Sequence, residues 1–288
     1  MPKYTSIMNL KTKRLNRNSS LFSTQETIVM GILNITNDSF YDGGKYINET
    51  EILSKCKEML DEGASIIDIG AQSSRPGATE IESKFELKKL LPTIKLLKNS
   101  FKNITISIDT FWANTAKECI YAGADIINDI SAGQKDKNMF PTVAKLDVPY
   151  ILMHMQGSPK NMQNNPNYQN VTEEIYNYFE EKINKLHRLG FYNIIIDPGL
   201  GFGKTIEHNY QILNNLSTFK NLKLPILIGP SRKSMIYKLL DITPKEALNG
   251  TSIINTIAIQ NGANILRVHD VMAAIECIKI TTFAKNNC

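Results

Sequence analysis

Short apolar runs recur along the chain, and a small polar cluster closes or follows each of them. The runs occupy residues 28–35, 65–69, 104–109, 125–130, 150–155, 193–197, 225–229 and 264–269. The clusters are Asn34-Ile35-Thr36-Asn37-Asp38-Ser39-Phe40, Ser73-Ser74-Arg75-Pro76-Gly77, Asp109-Thr110, Asn128-Asp129, Met153-His154-Met155-Gln156-Gly157, Asp197-Pro198-Gly199, Ser231-Arg232-Lys233-Ser234 and Arg267-Val268-His269-Asp270. Apolar runs of this length, bounded by turn residues, suit strands buried on both faces of a parallel sheet. Polar groups that all follow the strands of a parallel barrel meet at one end, where such barrels keep their active sites.

The segments between the runs carry helical spacing. The clearest stripe is Val171, Ile175, Tyr178, Phe179, Ile183 and Leu186. Asn170, with Glu173 three residues on, predicts a capping box, and Gly190 a left-handed C-terminal cap. A small repeat supports the alternation: Gly63-Ala64-Ser65, Gly123-Ala124-Asp125 and Gly262-Ala263-Asn264 each fall between a helix and a strand. Glycine there ends a helix without a Cβ penalty. About eight strand–helix units predict an α/β fold, a closed (β/α)8 TIM barrel; a doubly wound open sheet is the alternative. Residues 1–26 read as an arm or hairpin under the barrel, or as a tail, and residues 27–288 as one barrel domain.

At 288 residues the chain can build one large core, and a charged content of 21% is ordinary for a water-soluble domain. The net charge of +5 comes from dispersed basic residues, which suits an anionic small molecule and argues against nucleic acid as partner. Cys56, Cys119, Cys277 and Cys288 form no C-x-x-C pair and lack zinc-site spacing, so a reduced, cytoplasmic chain is expected. No run reaches membrane-spanning length, and the N-terminal lysines lack the apolar segment of a secretory signal.

Asp197-Pro198-Gly199-Leu200-Gly201-Phe202-Gly203-Lys204-Thr205 resembles a phosphate loop but has Pro198 where a Walker A motif needs its first glycine. Two readings stand: a flexible strand-to-helix turn, or a loop whose glycines let a ligand approach Asp197 closely. Asp109, Asn128 and Asp197 could cap helices, or face one cavity. Carboxylates with an amide suit a heterocycle rich in N–H groups and ring nitrogens, a pterin or a purine. Ser231, Arg232, Lys233 and Ser234, with Arg267 and His269, follow the last two strands, where barrels often bind phosphate. Arg232 reads equally well as a structural ion-pair partner. His154 and His187 read as structural, and His208 as a surface residue. The loops 38–45 and 72–79 read as solvated turns or as lids over a substrate.

Taken in order and with their spacing, these clusters closely resemble those of the dihydropteroate synthase family, from about Thr27 to the C-terminus. The resemblance implies a TIM barrel that joins 6-hydroxymethyl-7,8-dihydropterin diphosphate to p-aminobenzoate. By the family's pattern Asp109, Asn128, Asp197 and Lys233 would hold the pterin, with Met153 lining its pocket. Asn34, Arg267 and His269 would hold the diphosphate, with Asn34 also near Mg2+. Ser74, Arg75, Pro76, Phe202 and Ser234 would form or close the p-aminobenzoate site. Asp109, Lys233, Arg267 and His269 would carry catalysis, in which diphosphate departs before the amine attacks. The resemblance also implies a homodimer and competitive inhibition by sulfonamides, which mimic p-aminobenzoate. Asn37, Gln72 and Ser74 depart from residues common in the family, and Ser74 loses a methyl group where threonine is usual. Rival readings are a pterin-dependent methyltransferase, a lysine Schiff-base aldolase using Lys204 or Lys233, and a non-catalytic pterin-binding paralogue.

Overall fold

The computed structural model describes residues 27–35, 49–72, 80–158, 162–163 and 165–287. The expected N-terminal arm 1–26, the loop 38–45 and the site residues Ser74, Arg75 and Pro76 lie outside them. Eight parallel strands form one sheet: β1 (Ile28–Asn34), β2 (Ile66–Gly70), β3 (Ile106–Asp109), β4 (Ile126–Asp129), β5 (Tyr150–Met153), β6 (Ile194–Asp197), β7 (Leu227–Ile228) and β8 (Ile265–Val268). Their order is β6-β5-β4-β3-β2-β1-β8-β7. A bridge between Ile196 and Ile226 brings the two edges together. The result is the expected (β/α)8 barrel, nearly closed, and the open doubly wound sheet is excluded.

The helices between strands are α1 (Glu49–Asp61), α2 (Ser83–Ser100), α3 (Ala113–Tyr121), α4 (Met139–Leu146), α5 (Val171–Arg188), α6 (Ile206–Asn214), the short α7 (Ser234–Tyr237), α8 (Leu248–Gln260) and α9 (Val271–Asn286). A 3-10 turn, Leu216–Leu222, follows α6. The expected stripe of α5 faces the core, with Val171, Ile175, Phe179, Ile183 and Leu186 buried. Its cap differs in one partner. Asn170 Oδ1 accepts the Glu173 backbone N–H as expected, but the Asn170 backbone N–H goes to Glu174, at 3.0 Å, while the Glu173 carboxylate takes Asn170 Nδ2. Among the described residues no helix is long and apolar enough to cross a membrane.

The Gly-Ala repeat works as one device. Gly63, Gly123 and Gly262 have φ of 108°, 113° and 103°. The following Ala64, Ala124 and Ala263 amides reach back to Met59, Cys119 and Ala258, the six-to-one bond of a Schellman cap. The next residues, Ser65, Asp125 and Asn264, donate at once to Val29, Ile106 and Ile226 in a neighbouring strand. Three residues thus end a helix and begin a strand.

Side chains alternate between the two faces of each strand. The outward set, among them Val29, Leu33, Ile67, Ile108, Ile127, Leu152, Ile196 and Leu266, packs under the helices as the main core. The inward set begins with a separate apolar layer: Met30, Ile66, Ile126, Ile151, Ile195, Leu227 and Ile265. Two residues further along these seven strands the next inward positions are Ile32, Asp68, Asn128, Met153, Asp197, Gly229 and Arg267, and β3 adds Asp109 two residues beyond its inward Ser107. A sealed floor therefore carries a polar layer directly above it.

Asp129 points the other way. It is fully buried behind the barrel and accepts from the Ser131 amide and hydroxyl, the Gly133 amide and the Tyr150 hydroxyl. Burial raises its pKa, and these donors oppose the rise. Tyr150→Phe removes one donor from a buried carboxylate and is expected to cost about 1–3 kcal/mol in urea denaturation. Ligand binding at the barrel mouth should stay unchanged. An unshifted denaturation midpoint would show that Asp129 is satisfied without the hydroxyl.

Candidate active site

The polar layer is organised by one guanidinium. Arg267 lies 2.7 Å from Asp68 Oδ2 through both Nε and Nη2, and 2.8 Å from Asp109 Oδ2 through Nη2. Asn128 Nδ2 donates to the same Asp68 oxygen at 3.1 Å. Burial opposes the charge on Arg267, but Asp68 and Asp109 outweigh it and hold its pKa above the ordinary value. Asp109 is pushed up to about 7 by burial, against the pull of Arg267 and with added repulsion from Asp68 and Glu86.

Asp197 closes β6, and its Oδ1 accepts the Gly199 amide at 2.7 Å. Burial raises its pKa, while Lys233 lowers it. Lys233 donates to the Leu200 carbonyl at 2.6 Å, and its Nζ lies 4.4 Å from the centroid of the Phe202 ring. Burial lowers Lys233 to about 8, with Asp197 acting against the fall. Ser234 opens α7 directly after Lys233. Asn34 ends β1 facing Gly70, where a Cβ would stand 3.5 Å from its Oδ1 and 3.6 Å from the Asp109 Cβ. Glycine at 70 keeps that gap open.

His269 stands at the rim, with Nδ1 3.0 Å from the Ser231 hydroxyl. Ser231 Oγ also accepts the His269 backbone N–H at 3.2 Å, so one hydroxyl holds both the ring and the backbone of His269. The ring is partly open to the mouth, yet the surrounding protein and Arg267 lower its pKa to about 4. In the free protein the ring is therefore neutral at pH 7. Met153 and Phe202 join Phe111, Ile130, Met155 and Met162 in an apolar cluster beside these groups, with Trp112 against it.

The structure also decides between readings that the sequence left open, and corrects one. Arg232 is structural: it binds Asp270 through Nε and Nη2, both at 2.8 Å, and the Pro244 carbonyl at 3.1 Å. Two of the loop glycines are required by packing of the loop itself. Gly199 and Gly203 have φ of 70° and 63°, and a Cβ would fall 2.0 Å from the His154 carbonyl and 2.4 Å from that of Gln156. His208 is not a surface residue; it is partly buried, and its Nδ1 accepts the Thr205 amide in a capping box. Lys204 is buried, with Nζ 2.9 Å from the Phe202 carbonyl and 3.0 Å from His154 Nδ1. An amine so enclosed does not serve a Schiff base, and His154 is structural as expected.

The sequence reading missed Asp68 and Glu86. Asp68 sits inside a strand rather than after one, and its signal was a carboxylate at an inward position of an isoleucine run. Glu86, on α2, accepts from Thr110 Oγ1 at 2.7 Å, and burial lifts its pKa to about 7. Thr110 Oγ1 in turn accepts the Trp112 amide, fixing the chain just beyond Asp109.

With this site in place, residues 30–269 match the family described as pterin binding enzyme. The chain is 40% identical over 269 residues to a dihydropteroate synthase of Haemophilus influenzae, covering 93% of this chain and 97% of that protein. The chain belongs to the dihydropteroate synthase family. Its fold matches that of the Yersinia pestis family member, solved with a sulfonamide drug complex, at a TM-score of 0.86 and 40% identity, over 92% of this chain and 96% of the other. The family member from Clostridium difficile, solved in the presence of pteroic acid, matches at a TM-score of 0.85 and 39% identity, over 91% and 97%.

Gly199→Ala tests the loop packing. The new methyl would strike a backbone carbonyl from a left-handed conformation, so the loop bearing Phe202 must move. A loss of more than about 1 kcal/mol in stability is expected, together with weaker ligand binding at the mouth. Unchanged thermal stability and binding would mean that the loop tolerates displacement.

Proposed function

We propose that the protein joins 6-hydroxymethyl-7,8-dihydropterin diphosphate to p-aminobenzoate, releasing 7,8-dihydropteroate and diphosphate. The observation that carries this reading is the inward row itself. Asn128, Asp197 and Arg267 stand at one level above an apolar floor, with Asp109 beside them, bonded to Arg267. Pteroic acid, present with the Clostridium difficile relative, joins a pterin to an aminobenzoate, and the drug with the Yersinia pestis relative is a sulfonamide. Both support these substrates.

In this reading Asp109, Asn128, Asp197 and Lys233 hold the pterin ring, and Met153 covers one side. Arg267, His269 and Asn34 hold the diphosphate, Arg267 as a fixed cation and His269 as a neutral donor. Phe202 and Ser234, with Ser74, Arg75 and Pro76, take the p-aminobenzoate. Mg2+ fits as a companion of the diphosphate. It usually binds through one or two protein oxygens plus substrate phosphates and water, and among the described residues no three His, Cys, Asp or Glu side chains group to hold a metal alone. Asn34 Oδ1 is the described oxygen that would meet it, and the ion when bound would neutralise charge on the diphosphate.

The bond from the exocyclic methylene carbon to the diphosphate oxygen breaks first, and diphosphate leaves with the electron pair. The remaining cation is conjugated with the pterin ring. A cation there favours the ionised form of Asp109, whose pKa near 7 in the free protein lets it lose its proton. The amine of p-aminobenzoate then attacks the methylene and sheds a proton. Such a path needs orientation and exclusion of water more than a strong base.

A homodimer through the last two helices belongs to the same proposal. Ile253 on α8, and Ile280 and Phe283 on α9, are 52%, 71% and 72% exposed. Cys56, Cys119 and Cys277 are free and buried, which suits work in the cytoplasm.

The deciding experiment follows diphosphate release with Mg2+ and the pterin diphosphate, with and without p-aminobenzoate. Stoichiometric dihydropteroate that needs both substrates is the expected result. Tight binding without release would favour the non-catalytic reading, and methyl transfer from methyltetrahydrofolate would favour the methyltransferase. A second expectation concerns pH. Lys233 loses its proton near pH 8 in the free protein. Calorimetric affinity for the 7,8-dihydropterin should therefore fall as pH rises through about 8, and Lys233→Met should bind more weakly without that fall. An affinity that is flat to pH 9.5 would remove the ammonium from the site.

A further inference from the structure

Asp68 connects two groups to which the proposed function gives separate tasks, and nothing in that reading assigns it one. It lies mid-strand in β2 with no exposed surface. A single oxygen, Oδ2, takes all three contacts: Arg267 Nε and Nη2 at 2.7 Å each, and Asn128 Nδ2 at 3.1 Å. The other oxygen, Oδ1, is buried without a partner among the described residues. An oxygen that already takes two guanidinium N–H groups has no proton of its own to give, so Oδ2 accepts from Asn128 as well. The group opposite it must donate.

That requirement fixes Asn128. A carboxamide can turn over and exchange its carbonyl for its NH2 at almost no steric cost, so its orientation is set by its partners. Opposite an obligate acceptor, the NH2 of Asn128 must face Asp68. One of its hydrogens is then consumed, and the carbonyl oxygen is turned away from Asp68. What Asn128 keeps for a ligand is a carbonyl acceptor beside one remaining N–H. This edge complements a ring nitrogen beside an exocyclic amino group, as on an aminopyrimidine. Asp197, a carboxylate, offers two acceptors and complements an N–H beside the same amino group.

We propose that Asp68 is a positioning residue that sets the polarity of Asn128 toward the ligand and ties it to the seat of Arg267. The inference rests on the pterin reading above and deepens it: discrimination of the ring's amino group depends on a residue that does not touch the ring. Asp68→Asn keeps the shape but offers either an N–H or a carbonyl, so Asn128 is free to turn over.

The test compares calorimetric affinities for 6-hydroxymethyl-7,8-dihydropterin and the matching dihydrolumazine, in which an oxo group replaces the amino group. The unsubstituted protein should prefer the pterin, and Asp68→Asn should narrow that preference at least tenfold. In an Asn128→Ala background, Asp68→Asn should leave the remaining preference unchanged, which a merely structural role would not produce. Asp68→Ser, whose hydroxyl also donates or accepts, replaces Asp68→Asn if that variant does not fold. A preference kept in the Asp68 variants, or narrowed equally in both backgrounds, overturns this inference and leaves the pterin reading standing. Failure of the unsubstituted protein to bind the dihydropterin overturns the pterin reading, and this inference with it.

Discussion

The guanidinium of Arg267, held between Asp68 and Asp109, is the contact on which the rest of the site depends. Three carboxylates, those of Asp68, Asp109 and Asp197, face inward above an apolar floor. Buried carboxylates without counter-charge would take up protons or open the barrel to water. Arg267 answers two of them and Lys233 acts on the third. The cost of burying these charges is met only while the set is complete, because removing one partner leaves the other charged and alone. The polar layer is therefore a single unit, and it can be polar because the layer beneath it is not.

Outside this unit, a second set of contacts holds the loops in place. The Lys204 amine, enclosed by the Phe202 carbonyl and His154, joins the loop after β6 to the loop after β5. Gly199 and Gly203 let those two loops touch backbone to backbone. On the other side, Glu86 and Thr110 fix the turn after β3. Neither Lys204 nor Glu86 faces the mouth, and both are buried charged groups whose pKa burial shifts to about 7. Side chains at the mouth are thus set by groups hidden one layer behind them.

Much of this was legible in the sequence. Isoleucine-rich runs and Gly-Ala caps specify a barrel because each caps a helix and starts a strand within three residues. Asp109, Asn128, Asp197, Lys233, Arg267 and His269 were legible because they stand at the last or next-to-last position of a strand or follow it, where polar residues cluster away from the core. Asp68 was not, because it lies inside an apolar run, and only the inward register shows that it shares a level with Asn128 and Arg267. The tasks of the loop glycines and Arg232 were also hidden. A glycine needed for ligand approach and one needed for loop contact look the same in a sequence, and the Asp270 that claims Arg232 lies 38 residues away. The neutral state of His269 depends on Arg267, two residues before it, and on the protein packed around its ring, which is not written locally.

The barrel is joined by hydrogen-bonded ladders everywhere but one seam. Seven neighbouring pairs share ladders, while β6 and β7 meet through the bridge at Ile196 and Ile226. Asp197 is the next residue on one lip of that seam, and Gly229, which precedes the turn to Lys233, lies on the other. Any change in the barrel's circumference is taken up most cheaply there. Asp197 and Lys233, brought in from the two lips and acting on each other, thus face one another across the weakest join in the sheet.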